Sequence, residues 1–274
     1  MSIHHALARA AERLSLTSPT PRLDAELLMA AACGLSRDCL LLDPPDEPSP
    51  PEFEQLVERR KAGEPVAYLT GRRGFWTIEL EVGPGALIPR PDSETLIVAA
   101  VEHFAGRPGP QRILDLGTGP GTLLLAALDE WPAATGIGVD CSSAALTYAR
   151  RNAARLGFGD RVELLEGDWT RGIDERFDLV LANPPYVAAD AALGAGVAEY
   201  EPHEALFAGR DGLDNYWALA PELGRLLSLG GLAAIEIGFD QAETAGALFR
   251  QAGLSPRPAQ DLAGHPRALL IRFS

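Results

Sequence analysis

The feature that most limits what this chain can fold into is an apolar strand running directly into a glycine-rich turn. It reads Ile113-Leu114-Asp115-Leu116-Gly117-Thr118-Gly119-Pro120-Gly121. Closely spaced glycines permit positive φ and let a backbone approach a ligand without a Cβ in the way. Beyond Gly121 the pattern turns helical, and the next apolar segment, 136–139, ends at Asp140. Strand and helix segments then keep alternating. A helix is expected over 142–156, strands over 162–165 and 177–182, and a helix from Asp214. A strand over 232–237, a helix from Gln241 and a closing strand over 268–273 follow. That rhythm, with a first strand at 112–116, predicts an α/β domain with a parallel, doubly wound sheet covered by helices on both faces.

The first 70 residues lack this alternation and read as short helices. Ile3, Leu7, Ala10 and Leu14 recur at helical spacing. Thr20 before Pro21 predicts a capped start, Leu23, Leu27, Leu28 and Ala31 an apolar stripe, and Gly34 a stop. Ser49-Pro50-Pro51-Glu52 has the form of a capping box, opening a helix through Phe53, Leu56 and Val57 that Gly63 closes. Residues 75–82 alternate polar and apolar as a strand does. Gly83-Pro84-Gly85 supplies a turn, and Leu87-Ile88 a return strand. The expected organisation is a helical domain at 1–72, a β-hairpin linker at 73–91 and an α/β domain at 92–274. A helix over 92–104 opens the last of these. Residues 187–196, dominated by Ala and Gly, read as a mobile loop.

Three segments of the α/β region carry chemistry. After the first strand, the free N–H groups of a helix N-terminus suit an anionic group, and Asp140 at the next strand end suits ribose hydroxyls. The glycines are spaced GxGxG, not GxGxxG, which favours a nucleoside ligand without pyrophosphate, above all S-adenosylmethionine; an ordinary strand–helix turn is the alternative. The second segment is Phe177-Asp178-Leu179-Val180-Leu181-Ala182-Asn183-Pro184-Pro185-Tyr186. In an open parallel sheet ligands bind beyond the carboxyl ends of strands, so Asn-Pro-Pro-Tyr should face the same crevice as the glycine loop. The prolines fix the backbone, aiming the Asn183 side-chain oxygen and the Pro184 carbonyl as two acceptors for a planar NH2 group, with Tyr186 as an aromatic wall. An amide nitrogen is a poor nucleophile because its lone pair is delocalised. Holding both N–H groups favours pyramidalisation and points the lone pair at an electrophile. In the third segment, Asp168 suits an adenine amino group and Trp169 the ring, or Trp169 simply covers the sheet end.

Other residues are less informative. The five histidines show no ligand spacing, so no metal site is expected. Glu199, Glu201 and Glu204 read as a solvated acidic loop. Cys33, Cys39 and Cys141 cannot all pair and the N-terminus has no signal-peptide pattern, which suggests a reduced, cytoplasmic setting. No apolar run approaches the ~20 residues of a membrane span. The formal net charge is −14, and Lys61 is the only lysine. Residues 1–73 carry 9 basic and 11 acidic side chains, and the rest 15 and 27, so the acidity belongs to the α/β region. Such a balance, with no basic run, speaks against a nucleic-acid partner.

With Asp-Leu-Gly-Thr-Gly and Asn-Pro-Pro-Tyr in one chain, the sequence resembles class I S-adenosylmethionine-dependent methyltransferases. Further segments resemble the PrmC/HemK family: Gly63-Glu64-Pro65-Val66-Ala67-Tyr68-Leu69-Thr70-Gly71, Phe75-Trp76 and Leu87-Ile88-Pro89-Arg90-Pro91-Asp92-Ser93-Glu94. So do Glu201-Pro202, Ala205-Leu206, Gly209, Asp211-Gly212-Leu213 and Asp261-Leu262-Ala263-Gly264 with Arg267. The resemblance implies a Rossmann-like class I methyltransferase sheet joined by a β-hairpin to a small N-terminal helical bundle that helps dock the substrate. It implies methylation of the glutamine amide in the Gly-Gly-Gln motif of peptide-chain release factors, with S-adenosyl-L-methionine as cofactor; a monomer is the expected state, though no sequence feature fixes it. Gly117, Thr118, Gly119, Pro120 and Gly121 would line the cofactor, Asp140 its ribose, and Asp168 and Trp169 its adenine, with Asn183 nearby. Asn183, Pro184, Pro185 and Tyr186 would hold the glutamine, with Asn183, Pro184 and Tyr186 serving catalysis. Pro120 stands where many members carry a small polar residue and removes one backbone donor from the loop. Glutamine methylation of a large-subunit ribosomal protein and adenine amino methylation of nucleic acid use related chemistry and are the competing readings.

Overall fold

The computed structural model describes residues 1–194 and 196–273. They form two units, one of Met1–Arg72 with Leu193–Tyr200 and one of Arg73–Ala192 with Glu201–Ser274.

The first unit is helical: α1 (Ile3–Leu14), α2 (Pro21–Cys33), α3 (Arg37–Leu42), α4 (Pro51–Lys61) and α5 (Val66–Thr70), with a single turn at Val197–Tyr200. Ile3, Leu7, Ala10 and Leu14 are buried, as their spacing predicts. In α2 the buried face is rotated from the expected stripe: Leu23 and Ala31 are exposed, while Asp24, Ala25, Glu26, Leu28 and Met29 are inside. Ion pairing decides the difference. Asp24 accepts hydrogen bonds from Ser18 and Thr20 and pairs with Arg60 at 2.7 Å, while Glu26 pairs with Arg22 and Arg37. The Thr20 hydroxyl is thereby committed to Asp24 and does not cap the helix. The residue capping α4 is Pro50, so Ser49 stands one position too early to form the expected box. The second chain segment joins this unit where Gly196 (φ +82°) passes Gly63, so closely that a Cβ would lie 2.5 Å from the Gly63 carbonyl oxygen. Of the expected mobile stretch 187–196, Ala195 lies outside the described residues.

The second unit begins with a hairpin, β1 (Arg72–Phe75) and β2 (Ile78–Glu81). Its turn falls at Trp76-Thr77, not at the Gly-Pro-Gly segment. Trp76 adopts φ 53° and donates its N–H to Glu94 Oε1 at 2.9 Å, which breaks the expected 75–82 strand in two. Residues 87–88 are not a strand, because the Ile88 N–H goes to the Glu201 carboxylate at 3.0 Å. A 3-10 turn, Pro91–Ser93, leads into α6 (Glu94–Phe104).

The main sheet comprises β3 (Arg112–Leu116), β4 (Thr135–Asp140), β5 (Val162–Glu166), β6 (Phe177–Ala182), β7 (Leu227–Glu236), β8 (Arg257–Gln260) and β9 (Pro266–Arg272). Their order is β5-β4-β3-β6-β7-β9-β8. The first five are parallel, but β9 runs antiparallel between β7 and β8, so the sheet is mixed and not all-parallel as expected. The sequence hid β8 because Arg-Pro-Ala-Gln reads as loop; Pro258 is tolerated there because β8 is an edge strand. Helices α7 (Thr122–Glu130), α8 (Ser143–Arg155), α9 (Asp214–Leu219) and α10 (Ala242–Gln251) complete the α/β pattern. Phe177, Leu179, Val180, Leu181 and Ala182 of β6 are fully buried, as expected for a central strand covered on both faces. The chain travels outward from β3 through β4 to β5, then crosses to place β6 on the other side of β3. That reversal opens a crevice at the carboxyl ends of β3 and β6. Among the described residues, no helix is long and apolar enough to cross a membrane.

Candidate active site

Leu116 and Ala182 are register partners at the ends of neighbouring strands, so Gly117 and Asn183 each begin one residue beyond the same rung. A Cβ at Gly117 would sit 3.8 Å from the Asn183 carbonyl oxygen and 3.5 Å from the Trp169 ring. Here the sheet brings together the three sequence segments. One cavity is lined by Gly117, Thr118, Gly119, Pro120, Asp140, Asp168, Trp169, Asn183 and Pro185.

The glycine loop is built by positive φ at Gly117 (73°), Gly119 (58°) and Gly121 (90°). Gly119 donates its N–H to Asp140 Oδ2 at 2.7 Å, and Ser142 donates to Oδ1 at 2.8 Å, which fixes the strand-end carboxylate against the loop. Burial raises the Asp140 pKa, and these donors oppose the shift. Pro120 lines the cavity, and its carbonyl accepts from Asn152 Nδ2 at 3.0 Å, so the proline that removes a donor still anchors the loop. Trp169 is held at φ 48°, a conformation bulky residues rarely adopt. Asp168 beside it is exposed.

Three expected site residues do not line the cavity. Gly121 is the residue before α7, where its N–H closes a turn onto the Thr118 carbonyl at 2.9 Å. Pro184 is buried in the turn. Tyr186 also stands outside the cavity lining: its hydroxyl donates to Glu236 Oε1 at 3.3 Å and its partly buried ring packs against the hydrophobic core. The two prolines carry the chain round so that the tyrosine is anchored beneath the site. Aromatic surface in the cavity comes instead from Trp169 and Phe207.

The structure adds residues the motifs did not single out. Asp115 is 1% exposed and lies in the cavity wall. Its Oδ2 accepts from the Thr118 hydroxyl at 2.7 Å and the Leu124 N–H at 3.1 Å, while Oδ1 has no partner. Burial pushes its pKa up to about 7, with Asp140 adding to the rise. A buried carboxylate in that state calls for a cationic or hydrogen-bond-donating ligand group. Glu201, expected in a solvated loop, is 4% exposed: it pairs with Arg90 and accepts from Ile88, holding 87–90 along the cavity. Glu204, exposed as expected, also lines the cavity. Asn183 Nδ2 donates to Ser93 Oγ at 3.1 Å, and Pro185 accepts from Asn215 Nδ2 at 2.9 Å. A single carboxylate inside an apolar strand, as at Asp115 and Glu236, was the available sequence signal. Among the described residues no group of three or more His, Cys, Asp or Glu is gathered so as to hold a metal ion.

A glycine loop, a strand-end aspartate and an Asn-Pro-Pro turn at one switch point define the class: residues 110–231 match the family described as Methyltransferase domain. The fold is that of a methyltransferase from Pyrococcus furiosus, 18% identical with a TM-score of 0.54 over 81% of this chain and 98% of that one. Residues 5–71 match the PrmC N-terminal domain. The Release factor glutamine methyltransferase of Caulobacter vibrioides is 44% identical over 261 residues, 91% of this chain and 89% of the relative. That of Bordetella pertussis is 44% identical over 255 residues, 90% and 93% of the two chains. The chain belongs to the release factor glutamine methyltransferase family.

Proposed function

We propose that the protein methylates the side-chain amide nitrogen of the glutamine in the Gly-Gly-Gln motif of peptide-chain release factors, using S-adenosyl-L-methionine. The observation that carries this reading is the shared rung of β3 and β6, which sets the glycine loop and Asn183 side by side at one cavity. The wall fits the cofactor chemically. Asp115 Oδ1, buried and unpartnered, suits an ammonium group, Asp140 suits a ribose diol, and Trp169 with Asp168 suits adenine. Bound there, S-adenosylmethionine supplies an electrophilic methyl group.

The chain's own residues would hold and orient the nucleophile. The Asn183 side-chain oxygen and the carbonyl of Pro184, whose neighbours Asn183 and Pro185 line the cavity though its own ring is buried, would accept the two N–H bonds of the glutamine amide, which favours a pyramidal nitrogen with its lone pair directed into the cavity. Orientation of this kind is worth about 7–11 kcal/mol in well-aligned reactions. The same oxygens stabilise the positive charge that develops on the amide. Tyr186 acts from below by bracing the Asn-Pro-Pro turn, since its hydroxyl is committed to Glu236. No strong base is required, because a protonated N-methyl amide loses its proton to water. The acidic balance of residues beyond Arg73 favours a protein substrate over nucleic acid.

The test is transfer of labelled methyl from S-adenosylmethionine to a purified release factor. The label should appear on the factor and vanish when the glutamine of its Gly-Gly-Gln motif is changed to alanine. Undiminished labelling of that variant would overturn the assignment.

A further inference from the structure

Beyond Tyr186 the chain runs beside residues 206–209 as a short parallel ladder. Val187 donates its N–H to the Leu206 carbonyl, Ala208 to Val187 and Ala189 to Gly209, each at 2.9 Å. Gln241 Nε2 donates to the Tyr186 carbonyl at 3.0 Å, and Gly212 packs so closely on that carbonyl that a Cβ would not fit. These contacts hold residues 206–215 against the exit of the Asn-Pro-Pro turn. Two of those residues, Phe207 and Asn215, line the cavity.

Asn215 stands half-buried near the start of α9, and its Nδ2 donates to the Pro185 carbonyl at 2.9 Å. That bond fixes which way round the side-chain amide sits. A main-chain carbonyl can only accept, so the NH2 end must face Pro185 and the oxygen end must face away from it. Among the described residues, Oδ1 accepts no hydrogen bond. Asn215 therefore offers a preset acceptor beside the pair formed by Asn183 and Pro184.

A preset acceptor calls for a donor. In the reading above, the donors of the cofactor already have partners: the ammonium at Asp115, the ribose hydroxyls at Asp140 and the adenine amino group at Asp168. The two N–H bonds of the glutamine amide go to Asn183 and Pro184. What remains of a Gly-Gly-Gln segment is its main chain. Glycine brings no side chain to recognise, so a binding site reads it through shape and through main-chain N–H and C=O groups.

We infer that Asn215 is a substrate-binding residue: its Nδ2 is tied to Pro185, and its Oδ1 accepts a main-chain N–H of the Gly-Gly-Gln segment. The inference rests on the proposed glutamine substrate and adds how the main chain around that glutamine is held. One side chain thus links the turn that carries Asn183 to the peptide it works on. A main-chain N–H lies away from the reacting nitrogen, so its contact is equally strong before and during transfer. Such a contact lowers KM and leaves kcat unchanged.

Asn215→Ala and Asn215→Asp are compared with the wild-type protein in methyl transfer to a purified release factor. Alanine removes both bonds. Aspartate gives up the bond to Pro185 but keeps an oxygen that accepts the substrate N–H at least as well. Asn215→Ala should raise the KM for the factor about tenfold, the effect of one hydrogen bond, with kcat within about threefold of wild type. In Asn215→Asp the KM should return to within about threefold of wild type. The Kd for S-adenosylmethionine, read by titration, should stay within about twofold in both, which also shows that each variant is folded. A side chain that only braced the turn would give a different pattern. Aspartate would then do no better than alanine, because its carboxylate repels the Pro185 carbonyl, and kcat would fall in both. That pattern would overturn the inference, as would an unchanged KM in Asn215→Ala or a loss of cofactor binding in either variant. Failure of the wild-type protein to methylate the factor would refute the substrate assignment and this contact together, whereas the variant patterns on an active wild type bear on Asn215 alone.

Discussion

Changing Asp115 to asparagine should stabilise the ligand-free protein at alkaline pH while weakening cofactor binding. The local geometry accepts the change. The new amide's carbonyl oxygen can keep both bonds now made by Oδ2, from Thr118 and Leu124, and its NH2 group takes the place of the unpartnered Oδ1. The wild-type carboxyl has an ordinary value of 3.8 and is raised to about 7 in the folded state, chiefly by burial. Below the lower value both states are protonated and the residue has no effect on stability. Between the two, the folded chain retains a proton that the unfolded chain has lost, so stability falls as pH rises. Above about 7 the loss is complete. A shift of roughly three units sets its ceiling at about 4 kcal/mol. The Asp115→Asn variant carries no such loss, so the gain should be near zero at pH 4, grow through pH 5–6 and reach about 2–4 kcal/mol at pH 8. Urea denaturation of the second unit, followed by tryptophan fluorescence at pH 5 and pH 8, measures it. Isothermal titration with S-adenosylmethionine at pH 8 should show affinity reduced by about 10- to 100-fold, because a charge-assisted contact becomes an unfavourable one. A variant with the wild-type pH dependence, or one that gains equally at both pH values, would refute the reasoning. Glu236 contributes a slope of the same sign, so the variant's stability should still decline somewhat between pH 5 and 8.

Asn183→Ala should lower methyl transfer by about a hundredfold or more while cofactor Kd, read by titration, is unchanged; near-normal turnover would remove it from the mechanism. Gly121→Ala should destabilise the second unit by about 1–3 kcal/mol in urea melts, because its φ is +90° and a Cβ would lie 2.7 Å from Leu125 Cδ1. In Glu201→Ala the Ile88 N–H loses its acceptor and Arg90 its buried partner. The expected loss is about 2–3 kcal/mol, below that of a fully buried pair because Arg90 can turn to water. Faster proton exchange at the Ile88 amide should accompany it.

The strands β3, β4 and β6 were legible because burial on both faces leaves short apolar runs between turn residues, and 177–182 matched its strand end to end. The antiparallel end of the sheet was not, since β8 has no apolar pattern and β9 alone does not reveal its direction. In the site, the glycine loop, Asp140, Trp169 and Asn183 were readable as local motifs. That Tyr186 packs against the core and not along the cavity was not readable, because proximity in sequence to Asn183 says nothing of which side of a proline turn a ring takes. Glu201 was missed because its partners are distant in the chain: it meets Ile88 and Arg90 across more than a hundred residues, a pairing no local pattern encodes. The buried carboxylates of α2 were hidden for the same reason, since Asp24 is inside only because Arg60 meets it there.

The place of β9 ties a strand remote from the cavity to the groups around it. Although it follows β8 in sequence, β9 is not an edge but is threaded between β7 and β8, and β7 in turn flanks the strand that leads to Asn183. Its first residues supply Arg267, which reaches Asp92 at 3.1 Å, next to Ser93. Without β9 the chain can neither complete the sheet nor supply the Arg267 contact to the turn before α6. Removal of β9 should therefore abolish methyl transfer although every residue that lines the cavity is kept, because the last of these is Asn215.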